Sequence, residues 1–154
     1  MNDTLKSPFV LALDVGTSST RALLFDANGS AVPNIVSQRP YTLTTSAQGE
    51  VSVDADMLAD VVEETISETL HLAGPYAQQI AAVALDTFWH SLMGIDASGH
   101  ALTPVITWED TRAHDAVYQL RKQFDEQSIH ARTGVHFHAS YWPAKLRWLA
   151  QSQP

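Results

Sequence analysis

An α/β fold is the expectation from this 154-residue sequence, and three observations lead to it. The chain opens with a short apolar run, FVLAL at residues 9–13, that has no helical period and ends at a polar turn. Two more extended segments follow before any helical pattern begins. Beyond them, helical and strand-like segments alternate, the order expected when helices flank a sheet.

Each element has its own signal. FVLAL reads as a buried strand, and TRALLFD (20–26) as its neighbour across the turn Gly16-Thr17-Ser18-Ser19. DANG (26–29) is a strong hairpin turn, its glycine free to take positive φ. AVPNIVSQRPYTLTT (31–45) continues as extended chain, with Pro33 and Pro40 marking edge positions or strand ends. Asp54 suits the N-cap of a helix over residues 57–72, in which Leu58, Val61, Val62, Thr65, Ile66 and Leu70 recur at steps of three and four. Gly74-Pro75 stops that helix. IAAVAL (80–85) reads as a second buried strand, SLMGID with ASGH as a strand and turn, and PVITW as a further strand. TRAHDAVYQLRKQF reads as a helix with Ala113, Ala116, Val117, Leu120 and Phe124 inward. A last helix is expected from Pro143, since proline suits a first turn, carrying Leu146, Trp148 and Leu149. With no internal repeat, low-complexity tract or linker, residues 1–154 read as a single domain.

Composition narrows the function. Hydrophobic residues make up 45% of the chain, enough for a core. The formal net charge of −8 argues against nucleic acid and anionic membranes as partners, and protonating all seven histidines leaves it negative. There is no cysteine, so disulfides and thiolate chemistry are excluded. The opening apolar run is too short for a signal-peptide core and no segment has membrane-spanning length, so a cytoplasmic location is expected.

The turn DVGTSS poses the chemical question. It is not a Walker loop, because no lysine lies between Ser7 and Lys122, and not a dinucleotide fingerprint, because Gly16 is the only glycine before Gly29. It places a carboxylate at a strand end, then a glycine, then three hydroxyl residues. Small residues let main-chain N–H groups converge on an anion, with hydroxyls as further donors. Asp14 makes sense beside a phosphate only through a cation, for which hydrated Mg²⁺ is the natural choice. Arg21 offers a charge-assisted contact. The same residues also suit a plain hairpin whose hydroxyls satisfy only the backbone.

The pattern of strand, D-x-G-T-S-S-T-R, strand, "FD" and glycine turn resembles the first phosphate motif of the actin-like ATPase superfold, which is ribonuclease H-like. Within it, the chain resembles the sugar kinases of the FGGY family. That narrower resemblance rests on IAAVAL, Trp89-His90, SLMGIDASG and the box Trp108-Glu109-Asp110-Thr111-Arg112 in the family's order, followed by "RTGVHFHASYWPAKLRWLA". It covers residues 9 to about 150.

The resemblance implies transfer of phosphate from Mg-ATP to a sugar hydroxyl. By match to the motif, Asp14 would orient hydrated Mg²⁺, with Gly16, Thr17, Ser18, Ser19 and Arg21 near the phosphates. Trp89, His90, Trp108, Asp110 and Arg112 would serve the sugar: Trp108 as a flat face, His90 and Asp110 as hydrogen-bonding groups, Arg112 holding Asp110 or meeting a substrate carboxylate. Read without the family pattern, Trp89 and Trp108 are better suited to a core, and Asp110 or Thr111 to a helix N-cap. Trp142 and Trp148 are expected to be packing residues. Glycerol kinases carry Arg-Glu where this chain has Trp89-His90. His90, "ITWEDTR" and His138 four residues after the "RTG" glycine look closest to gluconate kinases, with xylulokinases second.

The family's proton-accepting aspartate and its C-terminal ATP-binding lobe lie beyond the matched segment. The chain is therefore expected to be the front part of a first lobe, to lack appreciable kinase activity alone, and to self-associate through apolar surface that later segments would cover. Two other classes compete. One is a non-catalytic sugar-binding or interaction module. The other is a metal-binding protein built on His136-x-His138 with His114 or His130.

Overall fold

Seven strands and four helices follow one another along residues 5–152, the part of the chain that the computed structural model describes. Residues 1–4 and 153–154, the outer ends of the expected domain, lie outside the described residues. In order the elements are β1 (Phe9–Val15), β2 (Ser19–Phe25), β3 (Ala31–Pro40), β4 (Thr44–Thr45), β5 (Val51–Val53), α1 (Ala55–Ala73), a 3₁₀ turn (Gly74–Gln79), β6 (Ile80–Thr87), β7 (Val105–Ile106), α2 (His114–Gln123), α3 (Glu126–Thr133) and α4 (Trp142–Ser152). They form two compact units. One comprises Met1–Thr42 and Asp56–Phe88, the other Leu43–Ala55 and Trp89–Pro154.

The first unit holds a mixed sheet in the order β3-β2-β1-β6, with β1 antiparallel to β2 and parallel to β6. Strand alternation sets its faces. Phe9, Leu11, Leu13 and Val15 of β1 are buried, as are Thr20, Ala22 and Leu24 of β2. Phe9, Leu24, Val32, Ile35 and Ala73 make one core cluster, with Tyr76 and Ile80 packed against it. The hairpin turn forms as expected, with Gly29 at φ 77°. Asp26 organises it, accepting the N–H groups of Ser30 (3.0 Å) and Asn28 (2.9 Å). Those donors, the Ser30 N–H foremost, hold its carboxyl below the usual range.

Two expectations for this unit need correction. The buried positions of α1 are Leu58, Thr65, Thr69 and Ala73, whereas Leu70 is exposed. The inward stripe runs through threonines, whose hydroxyls donate to the carbonyls one turn back, Thr65 to Val61 (2.7 Å) and Thr69 to Thr65 (2.9 Å). β6 is a strand, but among the described residues it is the edge of the sheet rather than a buried strand, with Val83 61% and Leu85 64% exposed. An apolar run announces a strand without saying that both its faces are covered.

The second unit has a small antiparallel sheet, β4-β5-β7, and three helices. Ala113, Ala116, Val117, Leu120, Ala139 and Ala144 form its core, with Phe137 and Trp148 against it. The segment SLMGID is reduced to the isolated bridges Leu92↔Ile106 and Ile95↔Ala101, and the PVITW strand to two residues. Phe124 and Leu146 are exposed rather than inward; on α4 the buried residues are Ala144 and Lys145. α3 was not anticipated. It has an Asp125 N-cap accepting from Gln127 N–H and ends at Gly134 in the left-handed conformation, but no continuous apolar stripe. No helix among the described residues is long and apolar enough to cross a membrane.

Candidate functional site

In the first unit, β1 and β2 are joined by Gly16-Thr17-Ser18, and Gly16 N–H donates to Ser19 O at 3.0 Å to close the turn. That N–H is therefore not one of the anion donors expected from the sequence. Gly16 contributes room instead: a Cβ there would sit 3.3 Å from Ser19 O and 3.7 Å from Asp14 Oδ1. Tyr41 buttresses the turn from β3's end. Its phenol donates to Gly16 O and its N–H to Ser18 O (3.1 Å). Burial, with Asp14 adding to it, raises the Tyr41 phenol above its ordinary value. Ser19 Oγ accepts from Gln38 Nε2 at 3.0 Å.

Sheet register then lines up a charged row. Asp14 stands opposite Arg21 on β2 and beside Asp86 on β6, and Arg21 stands opposite Gln38. Paired residues in a sheet share a face, so two carboxylates and a guanidinium emerge together, all exposed. Two adjacent carboxylates beside hydroxyl groups are a donor set that suits a hydrated magnesium ion, and Arg21 suits the phosphate it would accompany. Asp86 and Tyr41 were not named for this turn by sequence reasoning; only pairing register could bring them to it.

In the second unit, the Trp-Glu-Asp-Thr-Arg box is stitched to residues 49–51. Asp110 is 2% exposed, and its carboxylate accepts Val51 N–H (3.1 Å), Arg112 N–H (3.0 Å) and Arg112 Nη2 (2.8 Å). Arg112 also meets Glu50 at 3.3 Å and lies 4.6 Å over the Trp148 ring. Of the two roles open to Arg112, this is the one in which it pairs with Asp110. Helix α2 takes neither Asp110 nor Thr111 as N-cap; that position is Ala113. Thr111 N–H donates to Gly49 O (2.9 Å), and Gly49 sits at φ 90° where a Cβ would collide with Thr111 Oγ1. With its neighbours so fixed, Trp108 presents a half-exposed ring, and its carbonyl accepts from Ser140 Oγ at 2.7 Å.

Trp89 and His90 occupy the loop after β6. Trp89 is 75% exposed, while His90 is partly buried at φ 65°, its ring 4.5 Å from Tyr141 and 5.4 Å from Trp89. Burial, then the charges of Lys145 and His138, lowers the His90 pKa, so the imidazole is neutral near pH 7 and able both to donate and to accept. A cavity of about 230 Å³ is walled by Trp89, His90, Val135, Tyr141, Trp142 and Pro143. A larger one of about 270 Å³ is lined by Ile129, Thr133, Phe137, His138 and their neighbours. The smaller is the one bordered by Trp89 and His90, which offer a polyol an aromatic face and a hydrogen-bonding group.

Three residues behind the loop complete the picture. Trp142 is exposed rather than a packing residue, and its Nε1–H donates to Ser91 O at 3.1 Å. Trp148 does pack, against the α2–α4 core. Lys145, the lysine of the family-like segment RTGVHFHASYWPAKLRWLA, is fully buried and donates to three main-chain carbonyls: Thr107 O (2.6 Å), His90 O (2.8 Å) and Ile106 O (3.3 Å). A lysine in sequence reads as a solvated charge, so nothing short of the contacts could reveal it. Among the described residues no group of three or more His, Cys, Asp or Glu side chains could hold a metal ion directly, and His130 and His136 instead stack ring on ring at 3.9 Å.

Known proteins share this fold. The chain is 25% identical over 146 residues to the gluconokinase of Bacillus subtilis, covering 94% of this chain and 28% of that protein. It is 30% identical over 146 residues to a glycerol kinase of Paraburkholderia phymatum, covering 94% and 29%. Among solved structures, it is similar to gluconate kinase from Lactobacillus acidophilus (31% identity, TM-score 0.81, 97% of this chain and 29% of that one). It is also similar to xylulose kinase from Rhodospirillum rubrum (29% identity, TM-score 0.88, 95% and 30%). The chain thus spans under a third of the length of these relatives. Its mixed sheet with flanking helices is the actin-like ATPase fold of such sugar kinases, in the part belonging to the first lobe. Residues 9–154 match the N-terminal domain of the FGGY family of carbohydrate kinases, and the chain belongs to that family.

Proposed function

We propose that this chain contributes the phosphate turn and part of the sugar pocket to a kinase that moves the terminal phosphoryl group of Mg-ATP onto a hydroxyl of gluconate or a related sugar acid, with a pentulose as second choice. The family match over residues 9–154 carries this reading. Its finer parts draw support from geometry. Asp14 faces outward beside Arg21 and Asp86, in position to orient a hydrated magnesium ion, with Thr17, Ser18 and Ser19 at the adjoining turn. Bound with ATP, that ion supplies neutralisation of the phosphate charge. Gly16 keeps the approach open.

On the sugar side, Trp108 offers a flat apolar face, and Trp89 and His90 border the polar cavity. Asp110 and Arg112 belong to the pocket as its frame, because both spend their charges on each other, on Val51 and on Glu50. The choice of a sugar acid over glycerol rests on Trp89-His90 standing where glycerol kinases have Arg-Glu. Mg-ATP as donor fits a cytoplasmic setting. None of the described carboxylates is assigned as the proton acceptor, and residues 1–154 alone are proposed to lack appreciable turnover. The exposed apolar side chains of β6 are proposed to drive self-association.

The test is a titration of the purified chain with gluconate, xylulose and glycerol, each with and without Mg-ATP, followed by NMR and coupled to a phosphorylation assay. Gluconate is expected to shift the signals of His90 and Trp108 without product forming, and sedimentation of the same sample is expected to show species larger than a monomer. Turnover comparable to a complete kinase would refute the inactivity. Indifference to all three sugars would remove the pocket, and sugar binding with no response to Mg-ATP favours the non-catalytic module.

A further inference from the structure

The buried lysine has a role beyond stitching the second unit together. We propose that Lys145 is a positioning residue of the sugar pocket: by gathering the carbonyls of His90, Ile106 and Thr107 on one ammonium group, it fixes the left-handed bend at His90 and aims the Trp89-His90 dipeptide. The proposal rests on the reading of that dipeptide as a sugar contact.

Three observations converge on it. The first is stoichiometric: an ammonium has three N–H donors, and three carbonyls meet it at 2.6, 2.8 and 3.3 Å with no carboxylate among them. The second is conformational. His90 takes φ 65°, uncommon for a residue with a side chain though better tolerated by histidine than by most, and Lys145 grips the carbonyl of that same residue. The third is that the start of α4 and the residue before it secure the loop twice more, through Trp142 Nε1–H to Ser91 O and the Tyr141 ring against His90. Residues of α4's first turn and the residue before it are thus both wall and anchor of the 230 Å³ cavity.

The arrangement also makes the bend sensitive to alkali. Burial draws the Lys145 pKa down to about 8, against an opposing pull from Asp110. Below that pH the ammonium matches all three carbonyls; above it the neutral amine has two donors for three acceptors. The other ionisable groups near this assembly are His90, on which the charge of His138 acts, Tyr141, whose ring lies 4.5 Å from that of His90, and Asp110 with its partner Arg112. His90 is shifted below its ordinary value, so its own titration lies on the acid side of the Lys145 transition.

The experiment uses the 154-residue chain and two readouts. In the absence of sugar, NMR follows the His90 backbone and ring and the Trp142 indole N–H from about pH 6 to about 10. In parallel, gluconate affinity is measured at about pH 7 and about pH 9. The unmodified chain is expected to show one shared transition near pH 8 at His90 and Trp142, with affinity falling about fivefold across it. Lys145→Arg, which stays charged, is expected to abolish the transition and keep neutral-pH affinity within about twofold. Lys145→Met is expected to weaken gluconate about tenfold at neutral pH and move the His90 signals, while those of the α2–α4 core stay put. Unmoved His90 signals in Lys145→Met, or the absence of any alkaline transition in the unmodified chain, would overturn the proposal. If the arginine variant fails to fold, those two measurements still decide. If no sugar binds even the unmodified chain, the pocket reading is lost, and the sugar-free titration still tests the positioning.

Discussion

Asp14 and Asp110 are both aspartates of sequence motifs, and the two units of the chain use them in opposite ways. Asp14 stands exposed at the end of β1, in a row with Arg21 and Asp86. Asp110 is sealed in, each carboxylate oxygen accepting from neighbours. A carboxylate left in water keeps its charge available for a ligand. One surrounded by donors has already been consumed by the fold, and removing it strands the groups around it. A motif match cannot tell these cases apart, because the residue type that binds a cation also brackets a loop.

The sharpest test of this contrast is a pair of variants in chemical unfolding. Asp110→Ala is expected to lower stability by about 3–5 kcal/mol, since Val51 N–H and the Arg112 guanidinium lose their shared acceptor. Asp14→Asn should stay within about 0.5 kcal/mol while losing magnesium-dependent nucleotide binding. Equal losses from the two would erase the distinction. Glycines sharpen it at the next level. Gly49→Ala forces a side chain into positive φ and into Thr111, for an expected loss of about 2 kcal/mol. Gly16→Ala meets only a tight 3.3 Å neighbour, and in thermal melts it should cost less than half as much, about 1 kcal/mol or under. A similarly small effect is expected from Tyr41→Phe, about 1 kcal/mol or less for one hydrogen bond to the turn, read as faster amide exchange at Gly16 and Ser18.

The sequence disclosed the elements that carry a period and the residues that carry a motif. β1, β2, the Asp26 turn, α1 and α2 stand where apolar spacing and turn chemistry put them. What stayed hidden depends on partners far along the chain. IAAVAL has the composition of an interior strand but lies at an edge, and α3 lacks a stripe that would announce it. Asp86 reaches Asp14 only through the parallel register of β6 with β1. Lys145 is the clearest case, because the burial of a charge is decided by three carbonyls 38 to 55 positions earlier, not by its neighbours in sequence.

The second unit is assembled from two stretches of chain, Leu43–Ala55 and Trp89–Pro154, and this shapes its birth on the ribosome. The bond from Val51 N–H to Asp110 joins residues 59 positions apart. At a synthesis rate of about 5–20 residues per second, the earlier stretch waits about 3–12 seconds for its counterpart. During that interval β5 has neither β7 beside it nor the bracket at Asp110. The nascent chain therefore passes through a stage at which the hairpin of β1 with β2 is finished while β5 has only β4 beside it, and the order of synthesis makes the second unit the later of the two to close.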